Sequence, residues 1–187
     1  WTFNVGGRFA MTRAIMMGRH LLAVTLTALL VACAASSPGG AGAAPKVSKG
    51  TLKGTWQVTD MRFVGAQGLY KAVLFERADS ACFKGSEWVF IPNNGAGKFT
   101  LNSPASQCAA GATRIHWSLY QPGDGSNQFQ FKYLDERGKV AAGGRGYRAT
   151  IDALTPTSMI LRVPSSYQGN PFDVLMSFSK VSEDITL

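Results

Sequence analysis

From Gly54 to Phe178 the chain repeats one pattern: a short run of alternating apolar and polar residues, then a cluster of Gly, Pro, Asn or Asp. Alternation at period two places every second side chain on one face of an extended strand, as a half-buried strand requires. In the first run Trp56 and Val58 alternate with Gln57 and Thr59. The phase slips near Asp60, because Met61 and Phe63 have the opposite parity, and a bulge or bend there accounts for it. Glu87 to Ile91 is closed by Pro92-Asn93-Asn94-Gly95, a turn signal, and Lys98 to Leu101 returns as a hairpin partner. Ile115, Trp117 and Leu119 share one face of the next run, with His116 and Ser118 opposite. After Pro122-Gly123-Asp124-Gly125, Phe129, Phe131 and Tyr133 line up, followed by Tyr147, Ala149 and Ile151. Thr155-Pro156-Thr157 turns the chain into Met159, Leu161 and Val163, and Phe172, Val174, Met176 and Phe178 close the series. Eight short, evenly spaced strands joined by hairpin turns predict an all-β fold, an eight-stranded antiparallel up-and-down β-barrel. Closing such a sheet removes its exposed edges. One stretch breaks the pattern: Leu69, Ala72, Val73 and Phe75 or Glu76 fall at three- and four-residue intervals, which predicts one short helix near 69–78.

The segment ahead of the strands has a different character. Leu21 to Cys33, LLAVTLTALLVAC, is an apolar run without charge, preceded by Arg13, Arg19 and His20. A basic flank, an apolar core of about a dozen residues and a small residue before a cleavage point describe an export signal. The run falls short of the ~20 apolar residues that span a bilayer. Its last four residues, Leu30-Val31-Ala32-Cys33, resemble the lipobox of bacterial lipoproteins. That resemblance implies cleavage before Cys33 and lipidation of its thiol; the alternative is an ordinary secretory signal followed by a free cysteine. Two or three acyl chains give stable membrane anchoring. Ala34, with no acid beside the cysteine, is similar to the sorting pattern of outer-membrane lipoproteins, facing the periplasm or the cell surface. Residues 1–10 precede Met11 and are read as upstream sequence.

The expected organisation is therefore upstream residues and signal over 1–32, a lipidated flexible tether over 33–50, and the barrel over 51–187. Ala34 to Gly50, AASSPGGAGAAPKVSKG, contains nothing that builds a core. As a random coil it would reach roughly 20–25 Å. Removal of residues 1–32 leaves 155 residues, enough for one domain without a metal to fold it. The removed part carries Arg8, Arg13 and Arg19, so the formal charge of +8 falls to +5 in the remainder. Its cations are dispersed with no run, a pattern of solubility and not of nucleic-acid binding. A monomer is expected.

Gly54-Thr55-Trp56, at the head of the first of eight strands, resembles the Gly-x-Trp of lipocalins. The whole of roughly 51–181 is similar to the lipocalin-like domain family of bacterial surface lipoproteins. The stretches that carry this are Leu52 to Trp56, Cys82 to Trp88, Ile115 to Ser118 and Phe178 to Val181. The resemblance implies a barrel that holds a small hydrophobic ligand. The chain departs from lipocalins in having no arginine after the last strand, where lipocalins stack one on the first-strand Trp, and no helix readable after Val181.

With Cys33 lipidated, Cys82 and Cys108 remain as an even pair in an oxidising compartment, which implies a disulfide. Neither has a second Cys or His nearby, so no metal site and no cofactor is expected. No catalytic constellation is readable either. His116 is the one histidine outside the signal, it sits on a polar strand face, and no Gly-x-Ser-x-Gly presents a serine to it. Asp135-Glu136 reads as a hairpin turn, and Gly143-Gly144-Arg145-Gly146 lacks the Lys-Ser/Thr of a phosphate cradle.

The informative surface is the apolar face. Trp56, Trp88, Phe90, Trp117, Phe129, Phe131, Tyr147, Phe172 and Phe178 share it if it is the barrel interior. Two readings follow. The rings line a cavity open at one rim, with Trp56 as the plug of the closed end and Trp117 and Phe131 nearer the mouth; the protein then binds a small hydrophobic molecule. Or the rings fill an interior only just wide enough for side chains, and the barrel is a scaffold for protein interaction in the cell envelope.

Overall fold

A computed structural model of the chain describes residues 47–65, 72–141 and 143–187. The signal, Cys33 and most of the tether lie outside the described residues. Short helix α1 (Lys49–Leu52) leads into β1 (Gly54–Val64). An excursion follows, made of β2 (Val73–Leu74), β3 (Ala78–Asp79) and α2 (Ser80–Phe83). The chain then runs through β4 (Glu87–Ile91), β5 (Ala96–Leu101), β6 (Gly111–Tyr120), β7 (Gln128–Tyr133), β8 (Gly146–Leu154), β9 (Ser158–Tyr167) and β10 (Asn170–Ser182). β1 and β4–β10 form a closed antiparallel barrel in which every strand pairs with its sequence neighbours and β1 pairs with β10. This is the up-and-down barrel that the alternation predicts.

The phase slip of β1 is a bulge. Val58 opposes Phe178 while Asp60 opposes Ser177, so Thr59 is extra and the strand changes parity there. The predicted helix over 69–78 is corrected where the residues are described. Residues 72–79 form the β2–β3 hairpin, and the helical turn starts later, at Ser80, capped by Asp79, whose Oδ1 accepts from Ala81 N at 2.9 Å. Three-residue spacing arose there because Ala72, Leu74 and Phe75 all turn into the core, a demand set by the barrel and not by a helix face.

The two rims differ. At one rim lie α1, the β4–β5, β6–β7 and β8–β9 turns and the end of β10, an arrangement fixed by the register. Leu52 is buried beneath this rim, and the Trp56 indole donates to Leu52 O at 2.9 Å. Packing against the core extends back to Val47. This is the closed end. The opposite rim carries the β2–β3–α2 excursion, the β5–β6 and β7–β8 connections and the β9–β10 turn. Cys82 and Cys108 are bonded with Cα atoms 5.4 Å apart, tying α2 to the β5–β6 connection across this second rim.

Candidate binding site

The predicted inner face is the inner face. Trp56, Trp88, Phe90, Trp117 and Phe129 are fully buried, and Phe131, Phe172 and Phe178 are nearly so. Tyr147 is half-buried at the second rim. The rings contact one another down the axis. Trp88 stacks on Phe99 at 4.6 Å, Phe90 meets Trp117 at 5.5 Å and Phe129 at 5.3 Å, and Phe129 meets Phe131 at 5.8 Å. Buried indoles need partners for their N–H groups. Trp88 Nε1 donates to the hydroxyl of fully buried Ser86 at 3.0 Å and Trp117 Nε1 to Ala96 O at 2.8 Å.

Trp117 is placed differently from the expectation. Its bond to Ala96 O and the Lys49 ammonium 5.5 Å from its ring set it at the closed end, not near the mouth. Parity along β6 gave its face correctly, but depth in a barrel depends on strand tilt and register, which parity does not encode. Phe131 does lie near the mouth.

What covers the mouth is the residue sequence reading assigned to a helix. Phe75 projects from the tip of the β2–β3 hairpin into the barrel and is 6% exposed. Its ring centroid lies 5.0 Å from Phe131, 5.7 Å from Phe83, 6.0 Å from Tyr147 and 6.2 Å from Trp88, all edge-on. Edge-to-face contacts at such distances are favourable beyond the area they bury. The backbone beneath is strained. Phe75 and Glu76 have φ of 54° and 53°, and Arg77 N bonds to Leu74 O at 3.0 Å, a tight turn with both central residues in the left-handed region, usually built from Asn and Gly. A bulky residue there costs about 1–2 kcal/mol. Seating the Phe75 ring offsets that cost.

The tip is held from two strands. Tyr133 Oη donates to Phe75 O at 2.7 Å, Tyr147 Oη donates to Glu76 Oε2 at 3.2 Å, and Arg145 pairs with the other oxygen of Glu76. Burial first, then the neighbouring Tyr147, pushes the Tyr133 hydroxyl well above its usual range. Burial and the Glu76 carboxylate raise Tyr147 as well. Both phenols stay protonated donors. Two clefts flank Tyr133 at this rim. One, of ≈240 Å³, is lined by Glu76, Tyr133, Gly143, Gly144, Arg145 and Tyr147, so the Gly143–Gly146 stretch lies beside the lid. The other, of ≈400 Å³, runs past Arg77, Arg114, Tyr133 and the Asp135-Glu136 turn. Neither enters the ring-packed interior.

At the closed end, Gly54 differs in its reason from the expectation. With φ of 118°, a Cβ there would stand 2.5 Å from Ser182 O, so the close approach is to the β10 backbone and not to the Trp56 ring. A further residue was missed altogether. Lys180, the cross-strand partner of Trp56, holds its ammonium 5.0 Å from the Trp56 ring centroid, with Glu183 3.0 Å away. A cation thus stacks on the first-strand tryptophan although no arginine follows the last strand. The cation sits within the last strand and not past its end.

No protein-family model and no curated protein sequence matches the chain. Solved structures that match its chain trace include a bovine odorant-binding protein with a selenium-containing odorant, a biogenic amine-binding protein, and the tryptamine complex of the amine-binding protein of Rhodnius prolixus. The first is 14% identical over 73% of this chain and 74% of that one, with a TM-score of 0.38. The second is 9% identical over 75% and 69%, at 0.41, and the third 10% identical over 79% and 74%, at 0.39.

Proposed function

We propose that this protein is a lipid-anchored binding protein of the cell envelope that takes a small hydrophobic, ring-bearing molecule at the mouth of its barrel. The observation that carries the ligand is Phe75. A side chain on a strained turn occupies an aromatic nest of Phe83, Trp88, Phe131 and Tyr147. Swinging the hairpin tip outward relaxes the turn and vacates a ring-sized site already lined by rings. The ligand then replaces Phe75, and its affinity is reduced by the fraction of time the tip is closed. The Leu30 to Cys33 motif supports the anchor, with Cys33 as the lipidated residue facing the periplasm or cell surface. No catalytic role is part of this proposal.

The test is a fluorescence titration with N-phenyl-1-naphthylamine, a neutral apolar probe. Phe75→Ala is expected to bind it at least tenfold more tightly than the parent, because the competing ring is gone. A second reading rests on the packed ring column: the barrel is a filled scaffold whose rim loops contact a protein partner. Absence of probe binding in both parent and folded Phe75→Ala would favour it.

A further inference from the structure

The outer wall of the barrel carries a separate feature. Lys98 on β5, Arg114 and His116 on β6, Lys132 on β7 and Arg148 on β8 all alternate with buried neighbours and so point outward. The register sets Lys98 opposite Arg114 and His116 opposite Lys132. Like charges in facing positions of a sheet are unfavourable, and an opposite charge is the usual partner. Among the described residues Lys98, Arg114, Lys132 and Arg148 make no ion pair, and Asp152, on the same wall of β8, is already engaged by Arg162 at 2.6 Å.

Part of this wall is concave. A groove of ≈290 Å³ is lined by the polar side chains of His116, Ser118, Gln130, Lys132 and Arg148, with Gly146, Phe131 and Tyr147 completing it. Gly146 faces Lys132 across the β7–β8 pair, and its missing side chain opens the floor. Arg148 is oriented before any ligand arrives. Its guanidinium lies 5.5 Å from the Tyr120 ring centroid, and with the Gln130 amide turned to satisfy both partners, Arg148 Nε and Nη2 donate to the Gln130 carbonyl oxygen at 3.2 and 3.3 Å. That leaves Nη1 and the Lys132 ammonium as donors with no partner among the described residues, with the Ser118 hydroxyl and the His116 imidazole beside them.

We propose that this groove binds a phosphomonoester group. A phosphomonoester presents three acceptor oxygens and up to two negative charges, and charge-assisted bonds from Arg and Lys are the strong ones. A carboxylate would use one guanidinium fork and leave Lys132, His116 and Ser118 unmatched. The charged side chains of the site point to the other face of the sheet from the inward rings, although Phe131 and Tyr147 border both the groove and the barrel mouth.

The experiment titrates the purified full chain with inorganic phosphate at constant ionic strength, following the Gly146 and Arg148 amides by NMR. Saturable shifts are expected, and Lys132→Gln and Arg148→Gln should each weaken binding at least tenfold. Lys98→Gln, on the same wall but outside the groove, should change it less than threefold. A parallel arm uses phosphatidylcholine vesicles with phosphatidic acid or with phosphatidylglycerol. Phosphate binding without vesicle binding identifies a soluble phosphomonoester, and preference for phosphatidic acid over phosphatidylglycerol identifies a lipid headgroup. Shifts that do not saturate, equal weakening by Lys98→Gln, or equal binding to both anionic vesicles would overturn the site in favour of a diffuse basic surface.

Discussion

Tyr133 and Phe75 lie 58 residues apart, yet the phenol of one donates to the backbone carbonyl of the other at 2.7 Å. That bond fixes the strained hairpin tip to the wall of the barrel. Tyr133→Phe keeps the ring and removes the donor, so it should cost about 1 kcal/mol at neutral pH. Amide exchange should accelerate selectively over residues 72–79.

The same hydroxyl makes alkaline stability a reporter. Its folded pKa is raised above the ordinary value of 10.0. Above pH ~10 the unfolded chain therefore loses a proton that the folded chain keeps, and stability falls as pH rises, by up to about 1.4 kcal/mol per unit for one group. Tyr147, raised in the same direction, adds to the slope. Denaturant unfolding between pH 9 and 11 should show a shallower decline in Tyr133→Phe than in the parent, and equal slopes would contradict the buried, bonded phenol.

Phe75 offers a test of sign. In ordinary strand or helix interiors, glycine is less stable than alanine by roughly 0.5–1 kcal/mol. At Phe75, where φ is 54°, the order should reverse, with Phe75→Gly more stable than Phe75→Ala by about 1 kcal/mol. Both should fall below the parent because the seated ring is lost.

Trp56→Ala removes a fully buried ring and should cost about 3–5 kcal/mol. Lys180→Gln leaves the ring and removes the stacked cation, for about 0.5–2 kcal/mol. Gly54→Ala meets the Ser182 carbonyl and should destabilise by about 2 kcal/mol or more. Thermal melts that leave Trp56→Ala within a few degrees of the parent would remove Gly54-Thr55-Trp56 as the structural keystone of the closed end.

The bridge closes a loop of about 27 residues, worth ~3.5 kcal/mol by loop-closure entropy. Cys82→Ser/Cys108→Ser should lose about that much, with m-values reporting whether the unfolded chain expands. Cys33→Ser tests the proposed anchor: if Cys33 carries a lipid, the variant should remain unprocessed or leave the membrane fraction.

The fold was legible because a strand that is wet on one face writes its geometry into the sequence at period two. Tyr147, Ala149 and Ile151 could be assigned to one side without any knowledge of their neighbours, and even the Thr59 bulge left a trace in the parity. Pairing of Cys82 with Cys108 followed from their count and the expectation of an oxidising compartment. The candidate site was half legible. Its lining rings obey the strand pattern, but its cover does not. Phe75 and Glu76 form a turn that their side chains oppose, and the tertiary burial of one ring overrides that local preference. Depth along the axis was also hidden, since Trp117 and Phe131 are cross-strand partners on one face and yet Trp117 bonds toward the closed end while Phe131 meets the Phe75 ring. So was the outer groove, where dispersed cations converge only once β5 to β8 are laid side by side.

Trp88 stands where the ring column meets the lid. Its indole neighbours Phe75, Phe83, Phe90, Phe99, Phe131 and Phe178, while Trp56 and Trp117 are bonded into the closed end. The barrel therefore contains its own optical sensor. Displacing Phe75 changes the surroundings of Trp88 and leaves Trp56 and Trp117 in place, so emission from Trp88, isolated by Trp1→Phe, Trp56→Phe and Trp117→Phe, follows the lid without an added label.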